Sequence, residues 1–166
     1  MNKLKKIIPL LILALLLSAC GQKVDENQVV ENNATAMVTA GEDVYELNDQ
    51  TVTRNGAILA ENIGTDEDII VVLGNKVYFN TTEGTKYINK NGKIKDFGKG
   101  RAIYGKGQWL YYENIGLYRV SVLDGTQGLL SKTALEFARE TEGGIVFTDG
   151  EKEYILAPDA EELEEI

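Results

Sequence analysis

A short pattern returns at almost constant distance along this 166-residue chain, and it restricts the fold more than any other feature. The segments Asp43-Val44-Tyr45-Glu46, Lys76-Val77-Tyr78-Phe79, Trp109-Leu110-Tyr111-Tyr112 and Gly144-Ile145-Val146-Phe147 carry apolar anchors at Val44, Val77, Leu110 and Ile145, spaced 33, 33 and 35 apart. An apolar strand precedes each: Ala36-Met37-Val38, Ile69-Ile70-Val71-Val72, Ala102-Ile103-Tyr104 and Leu135-Glu136-Phe137. A third strand follows, built around Val52, Tyr87, Tyr118 and Tyr154. Then come the turn signals Asn55-Gly56, Asn91-Gly92, Asp124-Gly125 and a degenerate Pro158-Asp159. Asn, Asp and Gly accept the positive φ angles of tight hairpins, which most residues resist. A fourth short strand closes three of the units, at 57–60, 93–96 and 127–130.

A unit of four short strands is too small to bury both its faces, so it is stable only when packed against copies of itself. Runs that are apolar on both faces, such as Ile69-Ile70-Val71-Val72 and Leu110-Tyr111-Tyr112, suit sheets held between neighbouring sheets. The expected fold is all-β, a small four-bladed propeller-like ring of four-stranded antiparallel sheets. A β-sandwich or an open repeat array is the alternative. The units run over about 35–67, 68–100, 101–133 and 134–166 of a repeat domain spanning 27–166. The fourth unit is the irregular one. Its acidic tail, with Asp159-x-x-Glu162, reads as a short helix. Residues 25–31 resemble 124–130, so an amino-terminal strand within 27–31 is expected to complete the last sheet and close the ring.

The third unit, RAIYGKGQWLYYENIGLYRVSVLDGTQGLLSK at 101–132, resembles a repeat of the propellers in low-density-lipoprotein-receptor-type proteins and related bacterial lipoproteins. The likeness extends over about 36–157. It implies an inner strand, an aromatic-rich strand, a strand ending at Asp124-Gly125, and an outer strand. No unit carries the full Tyr-Trp-Thr-Asp tetrad of the eukaryotic repeats, so the resemblance implies architecture and carries over no binding residue.

The first 19 residues read as a secretory signal: Lys3, Lys5 and Lys6, an apolar run of about a dozen residues, then small residues up to a cysteine. That run is too short for a membrane-spanning helix, which needs roughly 20 residues. Leu17-Ser18-Ala19-Cys20 resembles the lipobox of bacterial lipoproteins. The resemblance implies lipidation of Cys20, cleavage before it, and an extracytoplasmic position on the cell membrane, or on the outer membrane of a Gram-negative cell. Residues 20–26 become a tether, and the five residues after Cys20 reach less than about 18 Å. Cys20 is the only cysteine, so the body must hold without a disulfide. Without the signal, 14 basic residues face 26 acidic ones, a net charge of −12. Nucleic acid is therefore not an expected partner, and attachment to a membrane rests on the lipid alone.

The residue inventory points away from an enzyme. Histidine is absent, which removes the commonest general base and zinc ligand, and lipidation consumes the sole thiol. Phe97-Gly98-Lys99-Gly100 reads as a bend between strands rather than a phosphate loop. Thr65-Asp66-Glu67-Asp68 is an acidic connection without the ligand ladder of a calcium loop. No cofactor, metal or catalytic residue is expected. Alternation places Trp109 and Tyr111 on one face of their strand and Leu110 and Tyr112 on the other. Tyr45, Tyr78 and Tyr111 share a repeat position, as do Tyr87, Tyr118 and Tyr154, which marks packing between sheets. Trp109 has no aromatic counterpart in the other units and is the residue chosen for a ligand contact. The sequons at Asn33 and Asn80 read as chance. These features favour a lipid-anchored envelope protein that binds a protein, peptide or glycan. A scaffold member of an envelope complex is the second reading, and a glycan hydrolase using two carboxylates the third.

Overall fold

The computed structural model describes residues 36–67 and 69–166. The expected signal, Cys20, the tether, Asn33 and the strand at 27–31 lie outside the described residues. Within them the chain forms sixteen strands and no helix. Sheet one holds β1 (Met37–Ala40), β2 (Asp43–Asn48), β3 (Thr51–Arg54) and β4 (Ala57–Ala60). Sheet two holds β5 (Ile70–Leu73), β6 (Lys76–Thr81), β7 (Gly84–Ile88) and β8 (Ile94–Gly98). Sheet three holds β9 (Arg101–Lys106), β10 (Trp109–Asn114), β11 (Gly116–Ser121) and β12 (Gln127–Ser131). Sheet four holds β13 (Glu136–Thr141), β14 (Gly144–Thr148), β15 (Glu153–Leu156) and β16 (Glu164–Glu165). Each sheet is a four-stranded antiparallel meander in chain order.

The repeat is visible in register as well as in spacing. Tyr45 lies opposite Val38 and Arg54, Tyr78 opposite Val71 and Tyr87, and Tyr111 opposite Tyr104 and Arg119. All three tyrosines are buried. A further recurrence joins the third and fourth strands of sheets one to three, where one residue of the outer strand is skipped: Leu59, Phe97 and Leu130. A bulge re-aims the extra side chain, and each of these three packs on the apolar core. Asn55 (φ 51°) and Gly56 (φ 76°) form the expected two-residue turn. In sheets two and three the glycine alone, Gly92 or Gly125, adopts the left-handed region, at the end of a longer loop. Asn89 Oδ1 pins the loop of sheet two by accepting from the backbone N–H groups of Asn91 at 2.9 Å and Lys93 at 3.1 Å.

The end of the chain differs from expectation. The tail forms no helix but the strand β16, which holds the fourth place of sheet four, and residues 27–31, expected there, lie outside the described residues. Ala157 to Ala160 make a turn closed by a 3.1 Å hydrogen bond, Leu163 tucks against the core, and β16 pairs with Tyr154 and Ile155 of β15. The Ile166 N–H donates to Glu153 O at 2.9 Å, and Lys152 pairs with Glu165. The physical reason is the edge of β15: its unpaired backbone groups and a seat for Leu163 lie within reach of the tail, whereas a helix would leave both unused.

Inner strands of successive sheets run side by side, β1 next to β5, β5 next to β9, and β9 next to β13. Alternation sorts the second strand of each sheet into two faces. Leu110 joins the core shared with sheets one and two, while Tyr111 and Trp109 join that shared with sheet four. Phe97 of sheet two meets Tyr112 of sheet three edge-on at 5.6 Å. Between sheets three and four, Tyr104 stacks on Phe137 at 4.2 Å and Tyr111 packs on Phe147 at 5.4 Å. The Tyr104 hydroxyl and the Lys106 ammonium both donate to Glu140 of β13. The inner strands β5 and β9 approach closely at Gly105, where a Cβ would lie 2.6 Å from Val71 Cγ1.

Burial pushes the phenols of Tyr78 and Tyr104 far above their ordinary 10.0, with the hydrogen bond to Glu140 adding to the shift of Tyr104, and it pushes Tyr111 up to about 12. The fold therefore favours the neutral phenols. Their contribution is complete below pH 10, where an unfolded tyrosine begins to ionise, and is lost as pH rises beyond it. Titration followed at 295 nm should show exposed tyrosines ionising first, and these three only together with loss of the β-sheet circular dichroism. Full ionisation with the sheet signal intact would contradict the packing.

Candidate binding site between sheets two and three

Asn80, at the end of β6, is the hub of this junction. Its side chain is 2% exposed, and strand propensity does not favour it there. Nδ2 donates to Ala102 O at 3.0 Å and to Glu67 Oε2 at 2.8 Å. Oδ1 accepts from the Ala102 N–H at 2.9 Å and from Thr85 Oγ1 at 3.0 Å, so all four hydrogen-bonding positions are filled. Thr65 Oγ1 donates to Asn80 O at 2.8 Å, and the Thr85 hydroxyl also reaches Gly100 O at 2.9 Å. Glu67 then accepts from Arg101 Nε at 2.7 Å, and Arg101 Nη2 lies 2.5 Å from the same carboxylate. The network fastens the start of β9 to sheet two and fixes the acidic connection before β5. Among the described residues no buried side-chain polar atom is left without a partner. With its amide committed in this way, Asn80 cannot carry a glycan in this fold.

Two adjoining cavities open beside the network. The larger, about 400 Å³, lies among Asp66, Glu67, the 81–84 hairpin between β6 and β7, and Lys99 to Arg101. The smaller, about 180 Å³, lies among Ile69, Ile103, Phe137 and Glu136 at the starts of the inner strands. Glu67 and Arg101 line both. A charged basin thus meets an apolar notch across one ion pair. Gly100 shapes the wall: its φ is +128°, and a Cβ there would run into Glu113 O. The Tyr112 hydroxyl donates to Lys99 O and holds the bend over 99–100 in place. The arrangement offers carboxylates, an ammonium and hydroxyls at the rim with an apolar patch alongside, which suits binding of a polar ligand. Among the described residues no cluster of carboxylates has the geometry to hold a metal ion.

The acidic connection at 65–68 was singled out from sequence, and part of it, Asp66 and Glu67, lines the basin. The other lining residues were not anticipated. The available signal was an asparagine inside an otherwise apolar strand, Val77-Tyr78-Phe79-Asn80, followed by a strand starting Gly84-Thr85. Trp109, chosen from sequence for ligand contact, lines neither cavity. It is half-buried, with the Arg119 guanidinium 4.7 Å above its ring, and Arg119 Nη1 donates to Ala160 O at 2.9 Å. Trp109 therefore sits where sheet three meets the carboxy-terminal segment. Tyr87 packs on Tyr78 at 5.7 Å, and Tyr154 lies against the second core. Compared with known proteins, the chain matches no family model, no curated protein and no solved structure.

Proposed function

We propose that this chain is a lipid-anchored, extracytoplasmic binding protein of a bacterial envelope, without enzymatic activity of its own. The lipobox-like Leu17-Ser18-Ala19-Cys20 and the signal-like segment before it support the placement. The paired cavities between sheets two, three and four support the binding role, and their prebuilt wall is the observation that carries it. A site whose polar groups are already locked to one another need not reorganise when a ligand enters, and that lowers the cost of binding. The ligand is a protein, peptide or glycan with polar groups for Asp66, Thr82 and Lys99 and an apolar group for the notch at Phe137. Nucleic acid is disfavoured by the net charge of −12 on the body.

The reading is tested in two steps. Cys20→Ala should leave the body folded and move it from the membrane to the soluble fraction. Retention on the membrane would remove the anchor from the proposal. Envelope material captured by the intact protein should then be lost when Asp66→Lys and Lys99→Glu are combined at the rim, with the melting temperature unchanged. Capture indifferent to that pair would place binding elsewhere, and a stable stoichiometric complex would favour the scaffold reading.

A further inference from the structure

The strand β13 forms one edge of sheet four, and the series of neighbouring inner strands ends with it. Each earlier inner strand has buried residues, and β5 is buried throughout. In β13, Glu136, Ala138, Arg139, Glu140 and Thr141 are exposed and Phe137 is half-buried. One side of the strand pairs with β14. Among the described residues, no backbone–backbone hydrogen bond reaches its other side. An edge in this state is a template for another chain. Lysine or proline would blunt it, and Glu136-Phe137-Ala138-Arg139-Glu140-Thr141 contains neither. Two of its charges are held on the faces of the sheet: Arg139 pairs with Glu153, and Glu140 accepts from Tyr104 and Lys106.

The smaller cavity, about 180 Å³, opens at the start of this edge among Ile69, Ile103 and Phe137, with Glu136 at its rim. It has room for one aliphatic side chain. A strand added along β13 would lie about 4.8 Å from it and send alternate side chains to opposite faces, over a run of about 20 Å. Charge narrows the occupant further. Among the described residues neither Glu136 nor Asp66 has an ion-pair partner, whereas Arg101 at the notch is taken by Glu67. The body, with 14 basic against 26 acidic residues, attracts cationic partners as a whole. A glycan could fill the notch but has no row of peptide groups for the edge.

We propose that the ligand is an extended, basic segment of polypeptide that joins sheet four as a fifth strand along β13. Its main-chain groups pair with the open edge, one aliphatic side chain enters the notch at Phe137, and a neighbouring lysine or arginine meets Glu136. Main-chain pairing supplies affinity that depends little on sequence, and the notch and Glu136 supply selectivity. The inference rests on the binding role proposed above and narrows its ligand from a protein, peptide or glycan to a peptide strand.

The probe is a fluorescein-labelled synthetic octapeptide that alternates lysine with valine and carries one central leucine. It should bind the full chain with a dissociation constant below about 100 µM, read by fluorescence anisotropy. Methylating every second backbone nitrogen of the peptide should weaken binding about ten-fold or more, as expected when main-chain hydrogen bonds are lost. Glu136→Lys should weaken the unmethylated peptide about five-fold with the melting temperature unchanged. Binding should also slow hydrogen exchange of the β13 amides that do not pair with β14. No binding at about 1 mM peptide, equal binding of the methylated peptide, indifference to Glu136→Lys, or binding without slower exchange in β13 overturns the proposal. Envelope capture that is lost at Asp66 and Lys99 would still stand in each case, and with it the broader binding role. Slow exchange of those amides in the dilute protein alone overturns it in favour of an occupant from the chain itself. Slowing that grows with protein concentration overturns it in favour of a second copy.

Discussion

Asn80→Ala should destabilise the protein by about 4 kcal/mol, enough to shift the urea midpoint by roughly 2 M. The substitution removes both donors of a buried amide. Ala102 O and Glu67 Oε2 lose their hydrogen bonds, and each buried group left without a partner costs about 1–3 kcal/mol. The Ala102 N–H keeps its bond to Thr85 Oγ1 at 3.0 Å, and the Thr85 hydroxyl keeps its bond to Gly100 O, which sets an upper limit on the loss. Asn80→Asp should be no rescue, because it keeps the size but replaces the donor with a carboxylate beside Glu67. Because the same amide steadies Glu67, and through it Arg101, the two cavities should loosen as well. An Asn80→Ala protein with an unchanged midpoint would show that the hub contributes geometry without energy.

Tyr111→Ala should cost about 3–5 kcal/mol, and the loss should fall mainly on sheet four. Tyr111 is buried against Phe147 and Tyr104, in the sheet whose inner strand β9 lies beside β13 of sheet four. Repeat units hold one another at their junctions, so weakening one junction loosens the unit beside it. Native-state hydrogen exchange should show the amides of β14 and β15 opening at a much lower free energy than those of β6 and β7. Uniform destabilisation of all four sheets would mean that the stack behaves as one cooperative body.

Most of the strand map could be read from the chain because the information is local. Val44, Val77, Leu110 and Ile145 repeat on a fixed beat, and Asn-Gly or Asp-Gly punctuates three of the units. The two-faced burial of β6 and β10 follows from runs in which neither alternate position is polar. Local information fails where the deciding partner is distant. Asn80 is explained by Ala102, 22 residues away, and Arg101 by Glu67, 34 residues away. The carboxy-terminal residues carry a helix signal, and only the open edge of β15 and the seat for Leu163 turn them into a strand. Trp109 looked unassigned until Arg119 and Ala160 came beside it, because no repeat position announces a contact with a tail.

The serial order of the sheets also has a mechanical consequence. Pulling on the chain at Ala36 loads β1 first. With inner strands touching in succession, tension passes to sheet two only after sheet one has peeled away. The groove between sheets two and three, riveted by Asn80, then yields late. A body of this construction can absorb strain at its leading end while the shape of that groove holds.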